Sequence, residues 1–447
     1  MSGLTQDLAE LVAESRKFVL PLDAIAIAKR GFIDAIATML SGRNEKVVLT
    51  LCELHGRLER GGSSVLMGLA SADVQSAVMI NSASAHALDF DDVALLGHPS
   101  AVLVPAVLAE ADRLGRSGAE AVAAYVSGYQ VWAELCWRES DPLHAKGWHP
   151  TSIFGTIGAA AAVASLHGFD AVTARNALAI AASFSSGLAA NFGSMAKPLQ
   201  VGMAASRGVY AARLAGAGMT GSEDALEHYA GLLAAISPRG NTDRNSRIRP
   251  QERLWISELG LSIKKYPICY ATHRAIDGLI ELTRANAIAS DDIGQVRVIF
   301  SPTQAALLRN HRPKTALEAA FSIEFAAAAA ITAGHIGFEQ MTDSYVGRAD
   351  VQGLIEKVEI ETIDTHSPNE LGLALTERVI VVMHDGREFD SGEIRFARGN
   401  AQLPLSDEEL SQKFHMCAQG VDWIDPDALL GKLQNLENLR ATTDLTN

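Results

Sequence analysis

From about residue 5 to residue 260, apolar positions recur three and four apart. DLAELVAES, DAIAIAKRGFIDAIATMLSG, SAVMINSASAHALDF, AVLVPAVLAEADRLG, GAEAVAAYVSGYQVWAELCW and DAVTARNALAIAASFS all carry this period, which predicts helices. Gly42, Gly115, Gly168 and Gly187 stand at or after such runs and suit helix C-termini. Several runs are rich in alanine and poor in charge, so they predict helices covered on more than one side, as in the middle of a large helical domain.

The period changes near KKYPICYATH (264–273). A helical stretch, HRAIDGLIELTRAN, is followed by the short β-rich segments QVRVIF (295–300), LIEKVEIET (354–362), RVIVVMHDGREFD (378–390) and GEIRFARG (392–399), which read as strands. Asp385-Gly386 predicts a hairpin turn, because glycine accepts the positive φ such turns need. Between these strands LEAAFSIEFAAAAAITAG is helical, and Ser406 with Glu409 forms a capping-box pattern at the start of a final helical region. The expected fold is mainly α: an all-helical domain over 1–268, an inserted smaller α+β domain over 269–400, and C-terminal helices over 401–447 that rejoin the helical domain.

A chain of 447 residues exceeds one ordinary core, which agrees with two domains. Its net charge of −14 provides no basic footprint for nucleic acid or an anionic membrane surface. A few local cations still suffice for a small anionic substrate. The runs 155–166 and 323–333 are apolar but too short to span a bilayer. Four scattered cysteines (Cys52, Cys136, Cys269, Cys417) form no CxxC pair, which points to a reducing compartment. The opening MSGLTQDLAELVAES lacks the pattern of a secretory signal. A cytoplasmic protein is expected.

There is no GxGxxG after a strand, no GxxxxGK[ST], no HExxH and no GxSxG, so cofactor-free chemistry or a binding role remains. Four polar islands interrupt the apolar helices. In HALDFDDVALLGHP (86–99), His86 and Asp89 are three apart and share a face if the helix continues, with Asp92 extending it. A metal site there needs further ligands of specific spacing, so none is expected; capping of the next helix from a polar loop is the simpler alternative. HAKGWHPTS (144–152) places His149-Pro150 before a small-residue helix whose N-terminus suits a carboxylate, or is capped in the ordinary way. SMAKPLQVGMAASRG (194–208) holds Lys197 as the sole charge between two apolar stretches; it either snorkels to solvent or meets a carboxylate. IKKYPICYATHRA (263–275) gathers Lys264, Lys265, Tyr266, Cys269 and His273 at the change of texture, and ligand sites favour domain boundaries.

In this order and spacing, AHALDFDD with HPSAVLVPA, GWHPT, AKPLQVGMAA and KKYPICYATH resemble the MmgE/PrpD family over about residues 5–400. The resemblance implies an all-helical domain with an inserted α+β lid, a homodimer, and an active site for small polycarboxylates that needs no nucleotide or organic cofactor. By position it implies active-site roles for Asp89, His98, His149, Lys197, Lys264 and Cys269, with His273 in the same final motif; Lys264 with its neighbours Lys265 and Tyr266 is expected to bind substrate. Members include 2-methylcitrate dehydratase, cis-aconitate decarboxylase and iminodisuccinate epimerase. Val93 stands where the dehydratases and decarboxylases tend to carry threonine. Cys269 stands where the decarboxylase has histidine, and a tyrosine after the strand near 300 has no counterpart. These departures argue against cis-aconitate decarboxylation. They rank epimerisation of an iminodisuccinate-like substrate first, 2-methylcitrate-type dehydration second, and an inactive dimeric scaffold third.

Overall fold

A computed structural model describes residues 3–55, 62–139, 143–238, 240, 242–250, 254–365 and 374–446. The chain divides into two compact units, Met1–Leu261 with Asp407–Asn447, and Ser262–Ser406. The fold is mainly α, with two small sheets.

The first unit is built from α1 (Leu4–Glu14), α2 (Leu22–Ser41) and α3 (Lys46–His55), then a two-stranded ribbon of β1 (Ser63–Val65) and β2 (Ala70–Ala72). It continues with α4 (Val74–His86), α5 (Pro99–Leu114), α6 (Gly118–Trp137), α7 (Pro150–His167), α8 (Ala171–Phe184) and α9 (Ala196–Gly216). Start signals are local and conventional: Asp73 accepts from the amides of Gln75 and Ser76, and Ser117 with Glu120 closes a capping box on α6. Gly115 and Gly168 end α5 and α7 in the left-handed conformation, as glycine at that position allows. Gly42 caps α2 in the right-handed region, and Gly187 lies past the end of α8, which stops at Phe184.

The centre of this unit is α7, every residue of which from Pro150 to Leu166 is buried. It packs against α5, α6, α8 and α9. Small residues make this possible. A Cβ added to Gly128 of α6 would lie 2.7 Å from the Gly158 carbonyl of α7, and one on Gly208 of α9 would lie 2.6 Å from that of Thr156. Only hydrogen side chains at these crossings let the helix backbones come so close.

The second unit carries a four-stranded sheet of β3 (Ile293–Phe300), β4 (Val358–Thr362), β5 (Arg378–Met383) and β6 (Glu388–Asp390), in the order β4-β3-β5-β6. β3 pairs parallel with β4 and antiparallel with β5, so Val298 lies between Ile360 and Val379. Val296, Val298 and Phe300 are buried at alternate positions and join a core that includes the helix Ile323–Ala333. β5 and β6 form the expected hairpin, with Gly386 at φ 87°. The segment 392–399, read as a strand, is not one. Ile394 makes only an isolated bridge to Glu377, and the pattern of alternation alone could not tell the two apart.

Candidate active site

Three helix N-termini in the first unit hold residues expected at the site. His98 is the N-cap of α5 and Pro99 its first residue; His149 is the N-cap of α7 and Pro150 its first residue. Proline disfavours the helical conformation in the residue before it and is preformed for the first turn. Each His-Pro step therefore starts a helix and leaves the imidazole just outside it. Lys197 lies in the first turn of α9. Much of their backbone is already bound: Asp92 holds the Ser100 amide, the His149 carbonyl those of Ser152 and Ile153, and Ser194 and Met195 those of Ala196, Lys197 and Leu199. These termini therefore offer chiefly the positive end of the helix dipole.

The stretch 86–99 does not continue as a helix. α4 stops at His86, and Asp89 takes a left-handed backbone (φ 51°), as do Leu95 and Leu96. Asp89 thus leaves the helical face predicted for it, and Asp92 does not extend that face. Aspartate tolerates this conformation through its short polar side chain, whereas the two leucines are strained there. The Ala94–Gly97 pair closes the loop with two backbone hydrogen bonds, of 3.0 and 2.8 Å.

This loop brings the groups together. His86 Nδ1 donates to both oxygens of Asp91, at 2.9 and 3.0 Å. His98 Nδ1 lies 3.2 Å from Asp91 Oδ2, an ion-pair distance off the hydrogen-bonding line. Asp89 Oδ1 lies 3.7 Å from His98 Nε2 and 3.0 Å from Lys197 Nζ. The His86 ring sits edge-on to His98 at 4.4 Å and 6.3 Å from His149. Phe192 closes the far side, 5.0 Å from the His149 ring and 5.5 Å from Lys197 Nζ. His149 Nδ1 is 2.7 Å from Gln200 Oε1.

Burial sets the charges. It pulls His86 down to about 4 and His149 to about 2, so both are neutral near pH 7. Burial alone would raise Asp91, but His86 and His98 outweigh it and hold the carboxylate well below its ordinary range. Asp92 goes the other way, raised well above its usual value by burial and then by Asp34 and Asp91. Asp92 accepts from the Ser100 amide at 3.2 Å and hydroxyl at 3.0 Å, so it does cap α5. Neither Asp91 nor Asp92 solvates the loop, however, since both are fully buried. Beneath them Lys413 pairs with Asp34 at 2.6 Å and donates to the Phe90 carbonyl at 2.8 Å.

Donor atoms of His86, Asp89, Asp91 and His98 lie within 4.8 Å of one another, close enough to share a cation. Lys197 already supplies a positive charge 3.0 Å from Asp89 and would repel a second one.

The structure therefore gathers Asp89, His98, His149 and Lys197. Lys264, Lys265, Tyr266, Cys269 and His273 belong to the second unit. There His273 is buried, with Tyr266 at 5.2 Å and Tyr270 at 5.0 Å, and its Nε2 is 3.3 Å from the Ile268 carbonyl. Tyr266 donates to Asp277 at 2.7 Å. Cys269 lies in the buried core of that unit, its amide bound to the Ala320 carbonyl at 3.1 Å. Lys264 is 1% exposed, and Lys265 stands over the Tyr266 ring at 5.6 Å. Sequence reasoning weighed His86 only as sharing a helix face with Asp89, gave Asp91 no role beyond the loop, and did not name Phe192 or Gln200. The available signals were a histidine ending an apolar helix and a polar residue one turn beyond Lys197.

Two family models match: the MmgE/PrpD N-terminal domain over residues 6–245 and the MmgE/PrpD C-terminal domain over residues 266–427. The chain is 28% identical over 385 residues to the cis-aconitate decarboxylase of Homo sapiens, covering 83% of this chain and 78% of that protein. It is 25% identical to the cis-aconitate decarboxylase of Mus musculus, covering 100% and 93%. It is also 25% identical to a cis-aconitate decarboxylase-like protein of Aspergillus oryzae, covering 98% and 93%. With both domains matched in order on this site geometry, the chain belongs to the MmgE/PrpD family.

Proposed function

We propose that this protein is an enzyme that forms a carbanion next to a carboxylate of a small di- or tricarboxylate. The observation that carries this is the convergence of His98 and Lys197 on Asp89 and Asp91, with His149 at a second helix start 6.3 Å from the His86 ring. A proton beside a carboxylate is weakly acidic, so its removal needs a base and a way to hold the developing enediolate charge. His98 is suited to be the base, with Asp91 behind it to stabilise the imidazolium that forms. Lys197, aided by the positive ends of the helix dipoles, takes the carboxylate charge. The carbon electron pair then expels a β-substituent, as in dehydration. In decarboxylation the same carbanion arises by loss of carbon dioxide and is quenched by a proton.

The named relatives are decarboxylases, which moves a lyase reaction on a tricarboxylate ahead of epimerisation. Epimerisation of an iminodisuccinate-like substrate is the second reading, favoured by two imidazoles, His98 and His149, that can serve opposite faces of one carbon. Cys269 and His273 as acid–base groups, and Lys264, Lys265 and Tyr266 as carboxylate binders, are proposed from the resemblance alone, as is a homodimer. The test is proton NMR in heavy water with 2-methylcitrate, citrate, cis-aconitate and both stereoisomers of iminodisuccinate. Vinylic product signals assign a lyase. Deuterium entry with stereoisomer interconversion assigns an epimerase, and silence across the panel overturns the proposal.

A further inference from the structure

His149 has a neighbour that decides which of its nitrogens carries the proton. Gln200 Oε1 lies 2.7 Å from His149 Nδ1, and Gln200 Nε2 donates to the Leu188 carbonyl at 3.2 Å. The second bond fixes the first. A flipped amide would set its oxygen against the Leu188 carbonyl oxygen, so Oε1 must face the imidazole, and an oxygen there accepts only from a protonated Nδ1. The frame around the amide is built from backbone. The His149 amide donates to the Gly187 carbonyl at 3.0 Å, Trp148 pairs with Leu188 in an antiparallel bridge, and Ser152 Oγ donates to the Gln200 carbonyl at 3.0 Å. A Cβ on Gly187 would lie 3.0 Å from Gln200 Oε1 and 2.8 Å from Ser152 Cβ, so no bulk fits where the amide stands.

We propose that Gln200 is a positioning residue that fixes His149 in its Nδ1–H tautomer and presents the Nε2 lone pair to the substrate. This rests on the functional reading above. Among the described residues, His86, His98 and Lys197 are the titratable groups that act on His149, and the atom bonded to its Nδ1 is Gln200 Oε1. His98 and His149 are therefore unlike partners. The first has a carboxylate behind it, Asp91, and the second an uncharged amide. A carboxylate favours a ring that takes and keeps a proton; an amide sets orientation and tautomer without adding charge. His149 then acts as a neutral acceptor or proton relay, while His98 carries the charge during turnover.

The test labels the histidine rings with 15N and assigns His149 by comparison with His149→Ala. The wild-type signals should be those of a neutral ring protonated at Nδ1. In Gln200→Leu the two tautomers should mix, and kcat should fall roughly 10- to 100-fold with KM changed less than threefold. Gln200→Glu keeps an acceptor on Nδ1, so the Nδ1–H signal should persist, but it sets an oxygen against the Leu188 carbonyl and a charge behind the ring, so kcat should stay below wild type. An unchanged tautomer and kcat in Gln200→Leu would overturn the assignment, as would an Nε2–H ring in the wild type. The ring spectra need no substrate, so they decide the role of Gln200 even if every polycarboxylate proves inert. A fully active His149→Ala would instead overturn the functional reading.

Discussion

Asp91 and His86 hold each other with neither side chain exposed: the ring Nδ1 donates to both carboxylate oxygens, at 2.9 and 3.0 Å. That bidentate contact leaves the carboxylate edge near His98 fixed as well, at 3.2 Å from its Nδ1. Asp91→Asn should keep the volume and remove the charge. The expected loss is roughly 10²- to 10⁴-fold in kcat, the range for disabling a general base through its partner. Steady-state kinetics beside a thermal melt check it; a variant that melts normally yet turns over at the wild-type rate would remove Asp91 from the mechanism.

Lys197→Met should act differently. Its ammonium lies 3.0 Å from Asp89 at the start of α9, where a substrate carboxylate would also be drawn. We expect kcat/KM to fall at least about a hundredfold, with weaker binding of inert tricarboxylates by calorimetry. Unchanged affinity would mean that the lysine serves Asp89 alone.

Much of this could be read from the residues, and what could not has one cause. Asp89, His98, His149 and Lys197 each interrupt an apolar run, and proline follows three of them, marking helix starts that single segments reveal. Asp91 looked like one of three interchangeable acids, because the difference between 89, 91 and 92 lies in a left-handed turn at Asp89 that no local pattern encodes. Lys413 is 323 residues from Phe90, and His149 is 51 from Gln200. Such partners are chosen by packing, not by periodicity. The same limit explains segment 392–399, where strand-like alternation found among the described residues only the isolated Ile394–Glu377 bridge.

Lys413→Met tests the floor of the site. The Lys413–Asp34 pair is almost wholly buried, at 2.6 Å. Removing one partner strands the other, at a cost of about 3–5 kcal/mol. Chemical denaturation should report that loss, and Asp34→Asn combined with Lys413→Met should recover part of it. A loss under about 1 kcal/mol would show that water reaches the pair.

The depressed pKa of His149 predicts how stability follows pH. Its folded value near 2 lies below the ordinary 6.5, so the unfolded chain binds the proton first. Its share of stability is complete above about pH 6.5 and is lost as the pH falls, by up to about 1.4 kcal/mol per pH unit. Melts from pH 7.5 to 4.5 should therefore fall more steeply for the wild type than for His149→Gln. Parallel curves would contradict the neutral buried ring.

Gly97→Ala should disturb the loop without touching a charge. A Cβ there would lie 2.8 Å from Thr151 Oγ1 and 3.0 Å from the Trp132 ring. We expect a loss of about 1–3 kcal/mol and reduced turnover, read by melting and by initial rates on the same preparation.

The two His-Pro steps have a consequence for how the molecule meets its ligand. Both histidine rings are held by backbone that two prolines have already restricted, at the starts of helices whose neighbours approach closely at glycine. The cluster in the first unit is thus assembled before any ligand arrives. Little ordering entropy is left to lose there on binding, and a small charged molecule can be captured tightly although it offers few atoms to grip.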